Sequence, residues 1–199
     1  MVTILLLLAP VLSSQLLGED SVYYGLFKSD LGEDCKKFRS YIFGFTIDIQ
    51  NEWQYSVFTQ ANLLNAVFVP LWSDFSEGYT SSFEHMIVSY IPNNQQVSIK
   101  EVFDKTVSGF KFTYKNYKVE KQEEIVIQNI NSYLYFDSFY SQEKKVPVKG
   151  LVCLIPYKNV IYGINFRADP NTFKESVDEY IKWIKTFTPY PNELNKRGF

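Results

Sequence analysis

Histidine is nearly absent from this chain. His85 is the only one, and the two cysteines, Cys35 and Cys153, lie far apart with no Cys-x-x-Cys spacing. That leaves too few soft ligands for a structural zinc site. Charge of one sign is missing as well. Twenty basic residues face 22 acidic ones, for a formal net charge of −2. No long-range field would gather nucleic acid, and the short basic groups Lys36-Lys37 and Lys144-Lys145 neutralise too few phosphates. The nine glycines form no Gly-x-Gly-x-x-Gly, so a nucleotide loop is unsupported. No apolar run reaches the ~20 residues needed to span a bilayer as a helix.

What the chain has in excess is aromatic side chains. Fifteen Tyr, 17 Phe and three Trp make up 18% of its 199 residues. Such residues suit a half-buried pleated surface, so the composition leans toward sheet. With 46% hydrophobic and 21% charged residues, the chain can bury one ordinary core.

Residues 1–18, MVTILLLLAPVLSSQLLG, carry no charge. The short apolar run Ile4–Leu12, followed by Ser13 and Ser14, fits a signal peptide or an N-terminal anchor. The competing reading is a buried N-terminal strand or helix. On the first reading the protein is extracytoplasmic, and the segment gives it membrane proximity. An oxidising compartment would allow Cys35 and Cys153 to pair. The alternative, a free Cys153 acting as a small buried hydrophobe, stays open.

Residues 19–40 are polar and mixed and read as a linker. The domain is expected over 41–188, with a polar tail over 189–199. Phe43, Phe45, Ile47 and Ile49 alternate with Gly44, Thr46 and Asp48 at a strand's period of two, and Trp53 follows as a core anchor. Asn62–Leu71 and Glu84–Ile91 are further apolar, strand-like stretches, separated by the loop Ser73–Ser82. Ser98–Phe112 changes period. Ile99, Val102, Phe103, Val107 and Phe110 share one helical face, and Ser98 with Glu101 forms a capping box. Lys118–Gln128 and Asn131–Tyr140 predict a hairpin, as do Gly150–Pro156 and Val160–Ala168. Asp169 and Pro170 open a final helix with the stripe Phe173, Val177, Tyr180, Ile181 and Ile184.

The expected class is α+β: a mainly antiparallel sheet of about six strands flanked by helices, an α/β/α sandwich. Two segments carry a resemblance. Tyr41…Gly44-Phe45-Thr46-Ile47-Asp48-Ile49…Trp53 is similar to the opening strand and Trp of the PsbP-like family. Asn159-Val160-Ile161-Tyr162-Gly163-Ile164-Asn165-Phe166-Arg167-Ala168, running into the last helix and Thr186-Phe187, resembles its ending. That family includes the extrinsic photosystem II protein and the Ran-binding nuclear-import factor of the same fold. The resemblance covers about residues 41–188. It implies a non-catalytic accessory protein that docks onto a protein complex, by analogy of fold alone.

Chemistry finds no support in the residues. Ser81, Ser82 and Ser89 lie near His85 without a Gly-x-Ser-x-Gly elbow. Cys153 sits in an apolar run that blunts a thiol. Glu123 and Glu124 are neighbours in a strand and point to opposite faces. Asp74 and Glu77 lack calcium-loop spacing. No cofactor or metal is expected, and no enzyme. A partner contact is expected at Trp72, Phe75 and Tyr79, aromatics in a Ser- and Gly-rich loop. The alternative function is binding of a small apolar ligand or lipid in an aromatic pocket between sheet and helix.

Overall fold

The computed structural model describes residues 24–60, 63–71, 84–142 and 144–190. Eleven strands and two helices follow in the order β1 (Tyr24–Lys28), β2 (Cys35–Ser40), β3 (Phe45–Gln50), β4 (Trp53–Gln60), β5 (Leu63–Pro70), β6 (His85–Pro92), α1 (Ile99–Thr113), β7 (Lys115–Ile127), β8 (Ile130–Ser141), β9 (Val146–Tyr157), β10 (Val160–Ala168), α2 (Pro170–Thr186) and β11 (Thr188–Pro189). The class is α+β, as expected. The main sheet has seven strands, β4-β5-β6-β10-β9-β8-β7, and a second sheet has four, β1-β2-β3-β11. Every strand pair among the described residues is antiparallel.

The main sheet is two meanders joined at their last strands. After β6 the chain crosses through α1 to the far edge, then returns strand by strand until β10 pairs with β6, Ile164 opposite Val88. Local chemistry makes the reversals. Gln128 and Asn129 both have positive φ, 48° and 63°, which suits a two-residue hairpin turn between twisted strands. Gly44 ends the turn after β2 at φ 69°, and its carbonyl accepts from the Tyr190 amide at 2.7 Å. The Tyr162 hydroxyl on β10 donates to the Phe43 carbonyl at 2.5 Å, so this turn ties the small sheet to the large one.

Helix caps follow the sequence. The Ser98 hydroxyl accepts from the Glu101 amide at 3.2 Å. The Asp169 carboxylate accepts from the amides of Asn171 and Thr172 at 2.9 and 3.2 Å, with Pro170 at the first helical position. These contacts occupy amides that a helix start leaves orphaned.

The layers follow from alternation along the strands. Even positions of β10 (Tyr162, Ile164, Phe166) face the small sheet and α2. Odd Ile161 joins Val152, Leu154 and Tyr135 under Val102, Phe103, Val107 and Phe110 of α1. The first face holds the aromatic surplus. Phe38 meets Phe68 edge-on at 5.0 Å, Phe166 stacks on Tyr180 at 4.3 Å, and Trp53 meets Trp183 edge-on at 5.0 Å. Trp183, absent from the stripe read in sequence, is fully buried.

Two expectations change, and one alternative left open is resolved. Residues 19–40 were expected as a linker, yet 24–40 contain β1 and β2; polar residues tolerate this because the outer face of the small sheet is solvated around Lys37 and Arg39. The tail expected over 189–199 begins structured: Pro189 is buried beside Phe45, and the Tyr190 hydroxyl donates to the Ser40 carbonyl at 2.7 Å. Cys35 and Cys153 are both free thiols. They stand in different sheets, Cys35 opposite Gln50 and Cys153 between Leu134 and Ile164 in the core. Residues 1–18, the expected signal peptide or anchor, lie outside the described residues. Among the described residues no helix is long and apolar enough to cross a membrane.

Candidate functional site: a sealed charge cluster and an open sheet edge

The densest chemistry lies beneath the last turn of α1. Asp137, Gly150, Arg167 and His85 stand in one row across β8, β9, β10 and β6. The Arg167 guanidinium donates to both Asp137 oxygens, with the Nη2 contact at 3.0 Å, and the Tyr117 hydroxyl donates to the same carboxylate at 2.8 Å. Phe110 and Phe139 flank the guanidinium, their ring centres 5.7 and 5.5 Å away. The arrangement needs a glycine. A Cβ at residue 150 would stand 1.3 Å from Arg167 Nη1 and 2.2 Å from Asp137 Oδ1.

Burial is the largest influence on Arg167 and works against its charge, but Asp137 together with Tyr135, Tyr117 and Tyr114 outweighs it, and the guanidinium is held more firmly protonated than usual. Burial first, then the Asp137 charge, pushes the Tyr117 and Tyr135 hydroxyls up. None of these groups is tuned for proton transfer near neutral pH. Asp137 is 0% and Arg167 5% exposed, so no substrate reaches them. A bidentate pair set between aromatic rings fixes strand alignment rather than performing a reaction.

The remaining candidates disperse. His85 is half-buried at the start of β6, and Ser89 on the same strand donates to Asn65 at 2.7 Å. Burial pushes the Cys153 thiol up and out of reactive range. Cys35 is raised too, by burial first and by the charges of Glu179, Asp48 and Asp34 after it. Glu123 and Glu124 oppose Leu134 and Tyr133 on successive positions of β7, hence on opposite faces. Among the described residues no group of three or more His, Cys, Asp or Glu could hold a metal ion. Trp72, Phe75 and Tyr79, the expected partner contact, lie outside the described residues, as do Asp74 and Glu77.

A second surface went unread in the sequence because it falls in the polar lead-in. β1 is an edge strand, paired among the described residues only with β2. Leu26 and Phe27 are 49% and 46% exposed, and Leu31 in the next turn is 42% exposed. Leu26 and Phe27 are consecutive, so both faces of the edge are apolar. The contrast with β7, an edge of the large sheet, is sharp. β7 carries Lys115, Lys118, Glu120, Lys121, Glu123 and Glu124 and has two register shifts, features that discourage pairing with another chain. β1 has one charge, Lys28. Its register partner Lys36 turns away to the Asn51 and Trp53 carbonyls at 3.0 and 2.6 Å.

No family model matches the chain, and no curated protein matches it in sequence. Solved structures do. The solution structure of cyanobacterial PsbP from Synechocystis superposes with a TM-score of 0.61 at 11% identity, covering 82% of this chain and 97% of that one. A Pseudomonas aeruginosa protein of unknown function, described as a putative regulator, gives 0.50 at 9% identity over 85% of this chain and 99% of that one. A Bacteroides thetaiotaomicron protein gives 0.51 at 11% identity over 80% of this chain and 50% of that one. At these identities the likeness is one of fold, and the fold is PsbP-like, as the opening and closing strands implied.

Proposed function

Given a PsbP-like fold whose buried charge cluster is closed to solvent, we propose that the chain is an exported, non-catalytic accessory protein that docks onto a protein complex. One observation carries the reading. The edge strand β1 presents Leu26 and Phe27 on its two faces, with Leu31 beside them, while the long edge β7 is guarded by charges. An apolar open edge offers backbone donors and acceptors for affinity and side chains for selection, the requirements for a strand-adding partner. Export rests on the uncharged apolar residues 1–18. The other expectation, an apolar ligand in an aromatic pocket, gains no specific support, because the aromatic side chains that would line it are in contact with one another in the core.

Photo-crosslinking in the native envelope fraction tests the proposal. A photoreactive residue at Phe27 should trap one protein species, and one at Glu124 on β7 should trap none. Phe27→Asp should remove the chain from its complex on a native gel without changing its circular dichroism. Equal crosslinking from both positions, or from neither, refutes the proposed edge.

A further inference from the structure

The end of the sheet nearest the α1 C-terminus carries a second exposed feature. Phe112 is 95% exposed, the most exposed large apolar side chain among the described residues. It lies two residues beyond Phe110, and therefore on the opposite side of α1 from the buried stripe Val102, Phe103, Val107 and Phe110. It contributes nothing to the core.

Its neighbours are aromatic and cationic. Tyr114, two residues on, stacks on Phe139 of β8 with ring centres 4.2 Å apart. Lys115 opens β7 opposite Tyr140, and its ammonium lies 5.9 Å from the centre of that ring. β8 ends one residue later at Ser141, paired with Val146, and Lys145 directly precedes Val146. The topology thus brings to one end of the sheet Lys111 and Phe112 in the last turn of α1, Lys115 beside Tyr140 at the start of β7, and Lys145 just before β9. All three lysines are exposed, and none forms an ion pair among the described residues. Glu120, the acid nearest Lys115 along the same strand, is taken up by Lys149 and Lys118. Glu143, in the turn before Lys145, lies outside the described residues. Lys111 in the last turn of α1 also complements the helix dipole, a structural role that the other two lysines lack.

We propose that this tip seats the protein on an anionic lipid surface. Phe112 enters the interface between headgroups and acyl chains, Tyr114 and Tyr140 stand at headgroup level, and the three lysines face the lipid charge. The combination fits the physics of peripheral binding. An aromatic ring gains from leaving water, and each juxtamembrane cation gains from the surface potential within a Debye length. The overall charge of −2 makes the cationic tip local, so binding would orient the molecule rather than coat it. This goes beyond the proposed docking at β1 and uses none of its residues.

Sedimentation of the full chain with vesicles tests it. Phosphatidylcholine vesicles containing about a third phosphatidylglycerol should bind the protein at low salt and lose it at about 0.5 M salt, where screening is short-ranged. Pure phosphatidylcholine vesicles should not bind it. The Lys111→Gln/Lys115→Gln/Lys145→Gln variant should bind about a hundredfold more weakly, and Phe112→Ser about tenfold. All four side chains are exposed, so circular dichroism should be unchanged. Leu26→Asp should leave vesicle binding intact, which separates this result from failure of the β1 proposal. Binding that is equal on neutral vesicles, or indifferent to the variants, overturns the proposal and would point to residues 1–18. Retention on immobilised poly-glutamate without vesicle binding also overturns it, in favour of an acidic protein contact.

Discussion

Replacing Arg167 with Met is the sharpest test of the sealed cluster. Met keeps an apolar stem between Phe110 and Phe139 and deletes the guanidinium. The Asp137 carboxylate would then stay at 0% exposure with one remaining donor, the Tyr117 hydroxyl. Removing one partner of a buried ion pair costs about 3–5 kcal/mol, because the other charge stays buried without compensation. Domain stabilities lie at about 5–15 kcal/mol, so the loss is a large fraction of the total. Urea unfolding can be followed through Trp53 and Trp183, both buried in the core. With a slope of about 2 kcal/mol per molar, the midpoint should fall by about 2 M with the slope unchanged. The double variant Asp137→Leu/Arg167→Met removes both charges and should recover most of the loss. Gly150→Ala should cost about as much as Arg167→Met alone, since its Cβ occupies the place of the guanidinium. An Arg167→Met variant within about 1 kcal/mol of the parent, or a double variant weaker than the single, would refute a buried ion pair of this strength.

Asp169→Ala should cost about 1 kcal/mol at pH 7. The Thr172 hydroxyl, opposed by burial and aided by the Asn171 and Thr172 amides, holds the Asp169 carboxyl below its usual value. A depressed folded value means that this stability is present above the unfolded value and lost as pH falls through the folded one, so the two proteins should converge once the pH lies below the folded value. Asn129→Gly should raise stability by a few tenths to 1 kcal/mol in thermal melts, because φ is 63° there and glycine accepts it freely. Thiol titration near pH 8 should find two thiols after unfolding and none reacting rapidly before it; a count of zero in the unfolded protein would mean a disulfide. Trp183→Ala should cost about 3–5 kcal/mol in the same urea assay, given full burial against Trp53, Phe166 and Tyr180.

The sequence by itself determined the local elements and their faces. Val160–Ala168 was legible as a strand, and its period of two puts Tyr162, Ile164 and Phe166 on one face. Ser98 and Asp169 marked two helix starts because capping is a contact between near neighbours. The hairpin between β7 and β8 was legible for the same reason, although its turn falls at Gln128-Asn129 rather than at the expected Asn129–Asn131. β1 and β2 escaped because a strand in a small sheet with a solvated face needs no strong apolar pattern, and Tyr24–Lys28 gains its order from pairing with β2. Trp183 escaped because the stripe was read with too narrow an apolar face.

Only the tertiary structure decided the rest. Asp137 and Arg167 are 30 residues apart, and neither the pair nor the glycine notch between them has any local signature. Lys111, Lys115 and Lys145 gather at one end because β7 and β8 bring Lys115 beside Tyr140. Periodicity and capping act over a few residues, so they can be read along the chain. Sheet order, edge exposure and long-range ion pairs depend on which strand lies beside which, and that is settled only when the whole core is buried together.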